Sequence, residues 1–286
     1  MAEGQLNTLA KGSLSNATPQ PRSRSEMTGE PDLANVRTIA FDAYGTLLNF
    51  DERAFAPAIH AYLNAHGISH IHGDDVWKSW VEASRAHSRA HGRDPEKPLD
   101  GPEPPFLPMA ETWPRFFRTA FEKTRIDQPD PEDAFLHMFG LLARAEVYAE
   151  VNEVLTALRG AGLTLVVASN ADDRHLYPAL ERGGIEVDHV ITSEAVRSYK
   201  PRRPFFDAVA ERVGHEPGEI VYVGDNPYAD VTGARNAGML SYWVRRYEDE
   251  NQAKLLKADP HWTYPDLRGL LTLLTEPATA QDELRK

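Results

Sequence analysis

The chain has 286 residues, 41% of them hydrophobic, with 43 acidic against 31 basic side chains and a formal net charge of −12. That length can bury one large core and a smaller accessory domain, and the acidic balance argues against nucleic acid or an anionic membrane as the main partner. The absence of cysteine excludes disulfides, thiolate catalysis and cysteine-bound zinc, and no apolar run approaches the length that spans a bilayer.

Residues 1–35 are rich in Ser, Asn, Pro and Gln with few large apolar side chains, the composition of a tail without a packed core. No apolar segment follows a basic start, so a cytoplasmic location is expected rather than secretion. Met27 stands just before the first strand and leaves open a native start there. Residues 36–50 then form a short apolar run that delivers Asp42 into a Gly45-Thr46 turn. A buried parallel strand ends at the carboxyl edge of its sheet, where ligands bind, so Asp42 is a candidate nucleophile.

From 52 to 145 the pattern turns helical. Residues 52–66 and 74–91 read as helices, and a stretch with Pro95, Pro98, Pro102, Pro104, Pro105 and Pro108 can be neither helix nor central strand. Thr112 before Trp113-Pro114 marks a helix start. Trp113, Phe116, Phe117 and Phe121 then fall on one face, which reads as bundle core before substrate cage, and a helix over 131–145 closes the bundle. The expected organisation is an N-terminal tail over 1–35, a core over 36–51 and 146–276, an inserted helical domain over 52–145 and a C-terminal tail over 277–286.

Beyond the insertion, helices near 150–160, 173–182, 203–213 and 229–237 alternate with strands near 163–168, 187–192, 220–223 and 240–244. This predicts an α/β fold with a doubly wound parallel sheet. The strand before Ser169 and Asn170 ends in small hydrogen-bonding side chains, the strand at Ile220 ends in Asp225, and Ser198-Tyr199-Lys200-Pro201 lies between them. No histidine pair has metal-ligand spacing that competes with the aspartates.

Asp42-Ala43-Tyr44-Gly45-Thr46, Ser169, Lys200 and Gly224-Asp225-Asn226-Pro227-Tyr228-Ala229-Asp230, in that order, resemble the signature of the haloacid dehalogenase (HAD) superfamily of hydrolases. The resemblance implies a Rossmann-like core with a helical cap that covers the active site and reads the substrate. It implies Mg2+ held by Asp42, the backbone carbonyl of Tyr44 and Asp225, with Asp230 nearby through water or paired with Lys200. Oxygen-rich, water-keeping coordination suits Mg2+. Ser169 and the amide of Asn170 would bind phosphate oxygens, Lys200 would neutralise developing charge, Thr46 would orient the nucleophile and Tyr44 would line the substrate site. A carboxylate so placed attacks phosphorus or carbon and forms a covalent intermediate that water hydrolyses. Taken singly, Asp225 and Asp230 could be helix-start acids, Ser169 a turn residue and Lys200 an exposed side chain.

One departure bears on the chemistry. Phosphatases of the superfamily carry a general-acid Asp where this chain has Tyr44. Loss of such a group typically costs a factor of roughly 100 to 10,000, and a phenol with a pKa of about 10 is a poor substitute. The Asp-x-Tyr-Gly-Thr form resembles the L-2-haloacid dehalogenases, where halide leaves without a proton. Asp225, Pro227 and Phe206, where those enzymes have Ser, Asn and Tyr, point back toward phosphoryl chemistry. Three readings result: a Mg2+-dependent hydrolase of a small phosphate monoester acting through an aspartyl-phosphate; a hydrolytic 2-haloacid dehalogenase, with Lys78 as a candidate to hold the substrate carboxylate; and a binding or regulatory protein that turns over little. Arg85, Arg89, Arg93 and the Ala171–Arg174 loop could face the cleft or solvent. Trp77 and Trp80 could supply a subunit interface, although core burial is their simpler use.

Overall fold

The structure is a computed structural model that describes residues 33–50, 52–91, 103, 105–246 and 259–274. The expectations for residues 1–32, for Arg93, for Pro95, Pro98, Pro102 and Pro104, and for 277–286 lie outside the described residues. Leu33–Asn35, assigned to the tail from sequence, form a 3-10 turn, and Leu33 packs on the core.

The strands are β1 (Thr38–Phe41), β2 (Leu48–Asn49), β3 (Glu146–Val147), β4 (Thr164–Ser169), β5 (His189–Thr192), β6 (Ile220–Gly224), β7 (Leu240–Val244) and β8 (Trp262–Tyr264). Six of them form one sheet in the order β5-β4-β1-β6-β7-β8, every neighbouring pair parallel. β1 lies at the centre, with Phe41 in register with Val167 on one side and Val223 on the other. Both faces of the sheet are covered, which is why its central strands are apolar throughout instead of alternating. Ile39, Phe41, Leu165, Val167, Val221 and Val223 face one core, into which helices α5 (Val151–Gly160), α6 (Asp173–Arg182) and α10 (Gly269–Leu274) also turn side chains. Ala40, Val166, Ala168 and Tyr222 face the other, with Phe205, Phe206 and Val209 of α8 (Arg203–Val213) and Ala234 and Ala237 of α9 (Gly233–Ala237). The short α7 (Ser193–Val196) follows β5.

Between β2 and β3, which pair antiparallel, the chain makes α1 (Phe55–Ala65), α2 (Gly73–Ala90), α3 (Met109–Thr124) and α4 (Pro131–Leu142). These helices have their own core, including Phe55, Trp80, Phe116, Phe117, Phe121 and Phe135. Trp77 and Trp80 stack with centroids 5.0 Å apart, and Trp80 meets Trp113 edge-on at 5.0 Å. The predicted aromatic stripe is therefore interior packing of the bundle, where such pairs contribute beyond their buried area. Among the described residues no helix is long and apolar enough to cross a membrane.

Several boundaries differ from the sequence reading. Helix α3 begins at Met109, ahead of the predicted Thr112, because the carboxylate of Asp172 accepts the N–H groups of Met109 and Ala110 at 3.0 and 2.7 Å. The expected helix over 229–237 divides into a π-helical turn at Pro227–Thr232 and α9. Asn226 caps that turn, its Oδ1 accepting from the amides of Tyr228 and Ala229. Strand β8 and helix α10 were not anticipated: β8 has only three residues, none fully buried, and carries little periodic signal.

Candidate active site

The carboxyl ends of β1, β4 and β6 lie side by side at one edge of the sheet, and each delivers polar side chains there. Asp42 follows β1, Ser169 ends β4 and Asp225 follows β6. The carboxylates of Asp42, Asp225 and Asp230 offer oxygen atoms that lie within 4.8 Å of one another. Lys200 reaches between two of them, its Nζ donating to Asp42 Oδ1 and Asp230 Oδ1, both at 2.7 Å. Asp230 accepts a second bond at Oδ2 from the amide of Asn226, at 2.9 Å. The π-helical turn carries Asp230 back toward the strand end to make both contacts.

Two glycines make this approach possible. Gly45 has a φ of +85°, a left-handed conformation that L side chains rarely adopt, and a Cβ there would collide with the Asp225 carboxylate. A Cβ on Gly224 would collide with the carboxylate of Asp230.

Burial lowers the Lys200 pKa, but Asp230 and Asp42 outweigh it and hold the ammonium well above its ordinary value. Asp225 is pushed well above the usual carboxylate range by burial and by the charges of Asp230 and Asp42. Asp230 is raised to about 6, burial being the largest cause, with Lys200 opposing it. Three carboxylates around one lysine leave negative charge that the described side chains do not offset. Among the described residues this is the one cluster of acidic or histidine groups with metal-ligand spacing, and all-oxygen donors suit a hard divalent cation.

The remaining predicted residues sit as follows. Ser169 is buried at the end of β4. The Asn170 side chain grips the Lys200 backbone, accepting from its N–H at 2.8 Å and donating to its carbonyl at 3.2 Å. Thr46 is buried and donates to Asp225 Oδ1 at 3.2 Å, so its hydroxyl is directed at Asp225 and not at Asp42. Tyr44 donates toward the carbonyls of Leu142 and His175, each at 3.4 Å, and its ring meets those of Phe50 and His175 at 6.1 and 5.6 Å. Burial and Asp42 raise the Tyr44 phenol above its ordinary pKa. Lys78 lines a surface groove with His70, Asp75, Glu82 and Lys123 and is not brought to the aspartates.

Some contributors had no sequence signal. Tyr222, on β6, donates to the carbonyl of Ala168 and presents its ring 5.3 Å from Lys200 Nζ. Trp243 Nε1, on β7, donates to the Asp225 carbonyl at 2.9 Å. Both residues look like ordinary core positions until the neighbouring strands are in register.

This is the layout of a doubly wound α/β protein whose polar groups gather at the carboxyl ends of parallel strands. The chain belongs to the haloacid dehalogenase-like hydrolases, whose family model matches residues 36–238. It is 26% identical over 269 residues to the phosphoglycolate phosphatase of Salmonella paratyphi A (strain ATCC 9150 / SARB42), covering 88% of this chain and 98% of that one. It is 29% identical over 136 residues to haloacetate dehalogenase H-2 of Moraxella sp. (strain B); that match takes in 46% of this chain and only 58% of the relative's length. The fold superimposes on YfnB from Bacillus subtilis, solved bound to magnesium, with a TM-score of 0.67 at 18% identity, covering 84% of this chain and 99% of that one.

Proposed function

We propose that the chain is a Mg2+-dependent hydrolase of a small phosphate monoester, with Asp42 as the nucleophile and the bundle α1–α4 as a cap over the site. The observation that carries this reading is the triad of Asp42, Asp225 and Asp230 within 4.8 Å. Lys200 is bonded to Asp42 and Asp230, whereas Asp225, raised by burial and by those two charges, faces them as a third carboxylate, an arrangement that a divalent cation among the three would relieve.

Mg2+ would be held by the carboxylates of Asp42 and Asp225 and the backbone carbonyl of Tyr44. When bound it supplies charge neutralisation for the phosphoryl oxygens. An Asp42 oxygen attacks phosphorus; the bond from phosphorus to the ester oxygen breaks and the electron pair leaves with the alcohol. Water then attacks phosphorus of the aspartyl-phosphate, releasing inorganic phosphate and restoring the carboxylate. Lys200, held by Asp42 and Asp230 at 2.7 Å, keeps a fixed positive charge beside the phosphoryl group. Ser169 and the amides opening the loop to α6 complete the phosphate cradle. Tyr44 takes no part in proton transfer, so the leaving alkoxide takes its proton from water.

Tyr44, together with the similarity to a haloacetate dehalogenase, favours a second reading, in which Asp42 displaces halide from a 2-haloacid. The test is phosphate release from a broad panel of monoesters, with Mg2+ and with EDTA, comparing wild type with Asp42→Asn. Release that requires both Mg2+ and Asp42 is expected. Folded protein that releases no phosphate but frees halide from a 2-haloacid would replace the first reading by the second.

A further inference from the structure

Arg246, just past β7, joins three separate pieces of chain. Its Nε donates to the Gly45 carbonyl at 3.1 Å, its Nη2 donates to the Thr46 carbonyl, and its Nη1 lies 2.8 Å from Glu150 Oε1. The guanidinium also stacks 3.5 Å from the ring centre of Tyr148. Both charged side chains are almost fully buried, at 7% and 6% exposure. Glu150 holds the N-cap position of α5 yet makes no capping hydrogen bond; its carboxylate serves Arg246 instead.

The pieces joined are functionally distinct. Gly45 and Thr46 belong to the loop that begins at Asp42, whereas Tyr148 and Glu150 lie on the return from the helical bundle. That return is already tied to the loop by the β2–β3 ladder and by the Tyr148 N–H, which donates to the Leu47 carbonyl at 3.1 Å. A buried ion pair is a weak source of net stability, and an apolar pair of the same volume commonly serves as well. What an apolar pair cannot do is hold two adjacent carbonyls at fixed angles, which the planar fork of an arginine does.

We infer that Arg246 is a positioning residue. By fixing the carbonyls of Gly45 and Thr46, it holds the loop so that Asp42 and the Thr46–Asp225 hydrogen bond keep their relation, and it couples that loop to the return from the bundle. Arg246 contacts no group of the proposed reaction itself. Its kinetic consequence rests on the phosphatase reading; its structural consequence does not.

The test uses the full-length chain in two forms. Arg246→Met/Glu150→Gln removes both charges together, so no unpaired ion stays buried, and Arg246→Lys keeps the charge without the fork. Hydrogen exchange needs no turnover. The amides of residues 45–48 are expected to exchange roughly tenfold faster in both variants while β4 and β6 keep their protection, the mark of a local opening. Unchanged exchange at 45–48, or acceleration spread equally over β4 and β6, overturns the proposal; if the double variant does not fold, Arg246→Lys alone decides. For phosphate release, kcat is expected to fall about 100-fold, the cost of a small misplacement of a reacting group, with KM changed by less than about threefold. A loss confined to KM overturns the proposal. Wild type without phosphatase activity counts against the function proposed above, and the exchange experiment still decides the role of Arg246.

Discussion

Tyr44 spends its hydroxyl on the carbonyls of Leu142 and His175, and burial with the nearby Asp42 charge raises its pKa. A group so held is a poor proton donor to a departing alkoxide, so the proposed phosphatase should depend on how well the leaving group departs unaided. Aryl phosphates, whose phenolate leaves readily, are expected to react about 100 to 10,000 times faster than alkyl phosphates of similar size, the range a general acid ordinarily supplies. Tyr44→Asp should raise kcat for alkyl esters and flatten that dependence. Equal rates for both ester classes in the wild type would show that a proton donor is present after all. The four charged groups of the site were legible in the sequence through the family resemblance that their order carries: Asp42 and Asp225 after apolar strands, Lys200 before a proline and Asp230 five residues beyond Asp225 are each ambiguous alone. The partners of Thr46 and Asn170 were not legible, since those bonds cross 179 and 30 residues of chain. Arg246, 201 positions from Gly45, had no local pattern at all.

Among the elements, α3 shows most clearly what periodicity leaves out. Its apolar face was readable, but its start was not, because the cap comes from Asp172, more than 60 residues away. Asp172 heads α6 without capping it through its side chain and instead satisfies the first amides of a bundle helix. Tyr199 adds a second tie, donating to the Leu107 carbonyl at 2.8 Å. Burial raises the Asp172 pKa, with the two backbone bonds opposing it, so desolvating the charge offsets much of what the cap contributes. Asp172→Ala, which strands two amides, is expected to cost about 1–2 kcal/mol. Asp172→Asn, which keeps one acceptor oxygen and turns an NH2 donor toward the other amide, should cost about half of that or more. Urea unfolding of the three proteins measures the difference, and an Asn variant as stable as the wild type would mean that the second Asp172 oxygen contributes nothing to the cap. Strands β1, β4, β5, β6 and β7, by contrast, were legible to within a few residues, since coverage of both faces of the sheet favours apolar runs. The π-helical turn has no periodic signal because its register depends on the Asn226 and Asp230 side chains accepting from nearby amides.

For the molecule as a whole, folding gathers three carboxylates in a chain whose formal charge is already −12. Asp230, raised to about 6, and Asp225, raised well above the usual carboxylate range, bind protons in the folded state that the unfolded chain would release. Their contribution is present below the usual carboxylate range and is lost as pH rises through the folded values. Two histidines, the buried His175 and the half-buried His261, run the other way. His175 is lowered to about 3 by burial and Arg174, and His261 to about 4 by burial and Arg235; their contribution is present above about pH 6.5 and is lost as pH falls toward those values. Without a divalent ion the two sets oppose each other between pH 4 and 6.5, and stability should change little there. Mg2+ binds only the ionised carboxylates and so competes with their protons. Its stabilisation, about 2.7 kcal/mol at a hundred times Kd, is expected in full at pH 7.5 and should shrink toward zero at pH 5. Thermal unfolding in Mg2+ and in EDTA across that range measures it: the two Tm curves should converge as pH falls, and Asp225→Asn should bring them together at pH 7.5 as well. A Mg2+ effect that is as large at pH 5, or that survives in Asp225→Asn, would place the ion away from these carboxylates and remove the main support for phosphoryl chemistry at this site.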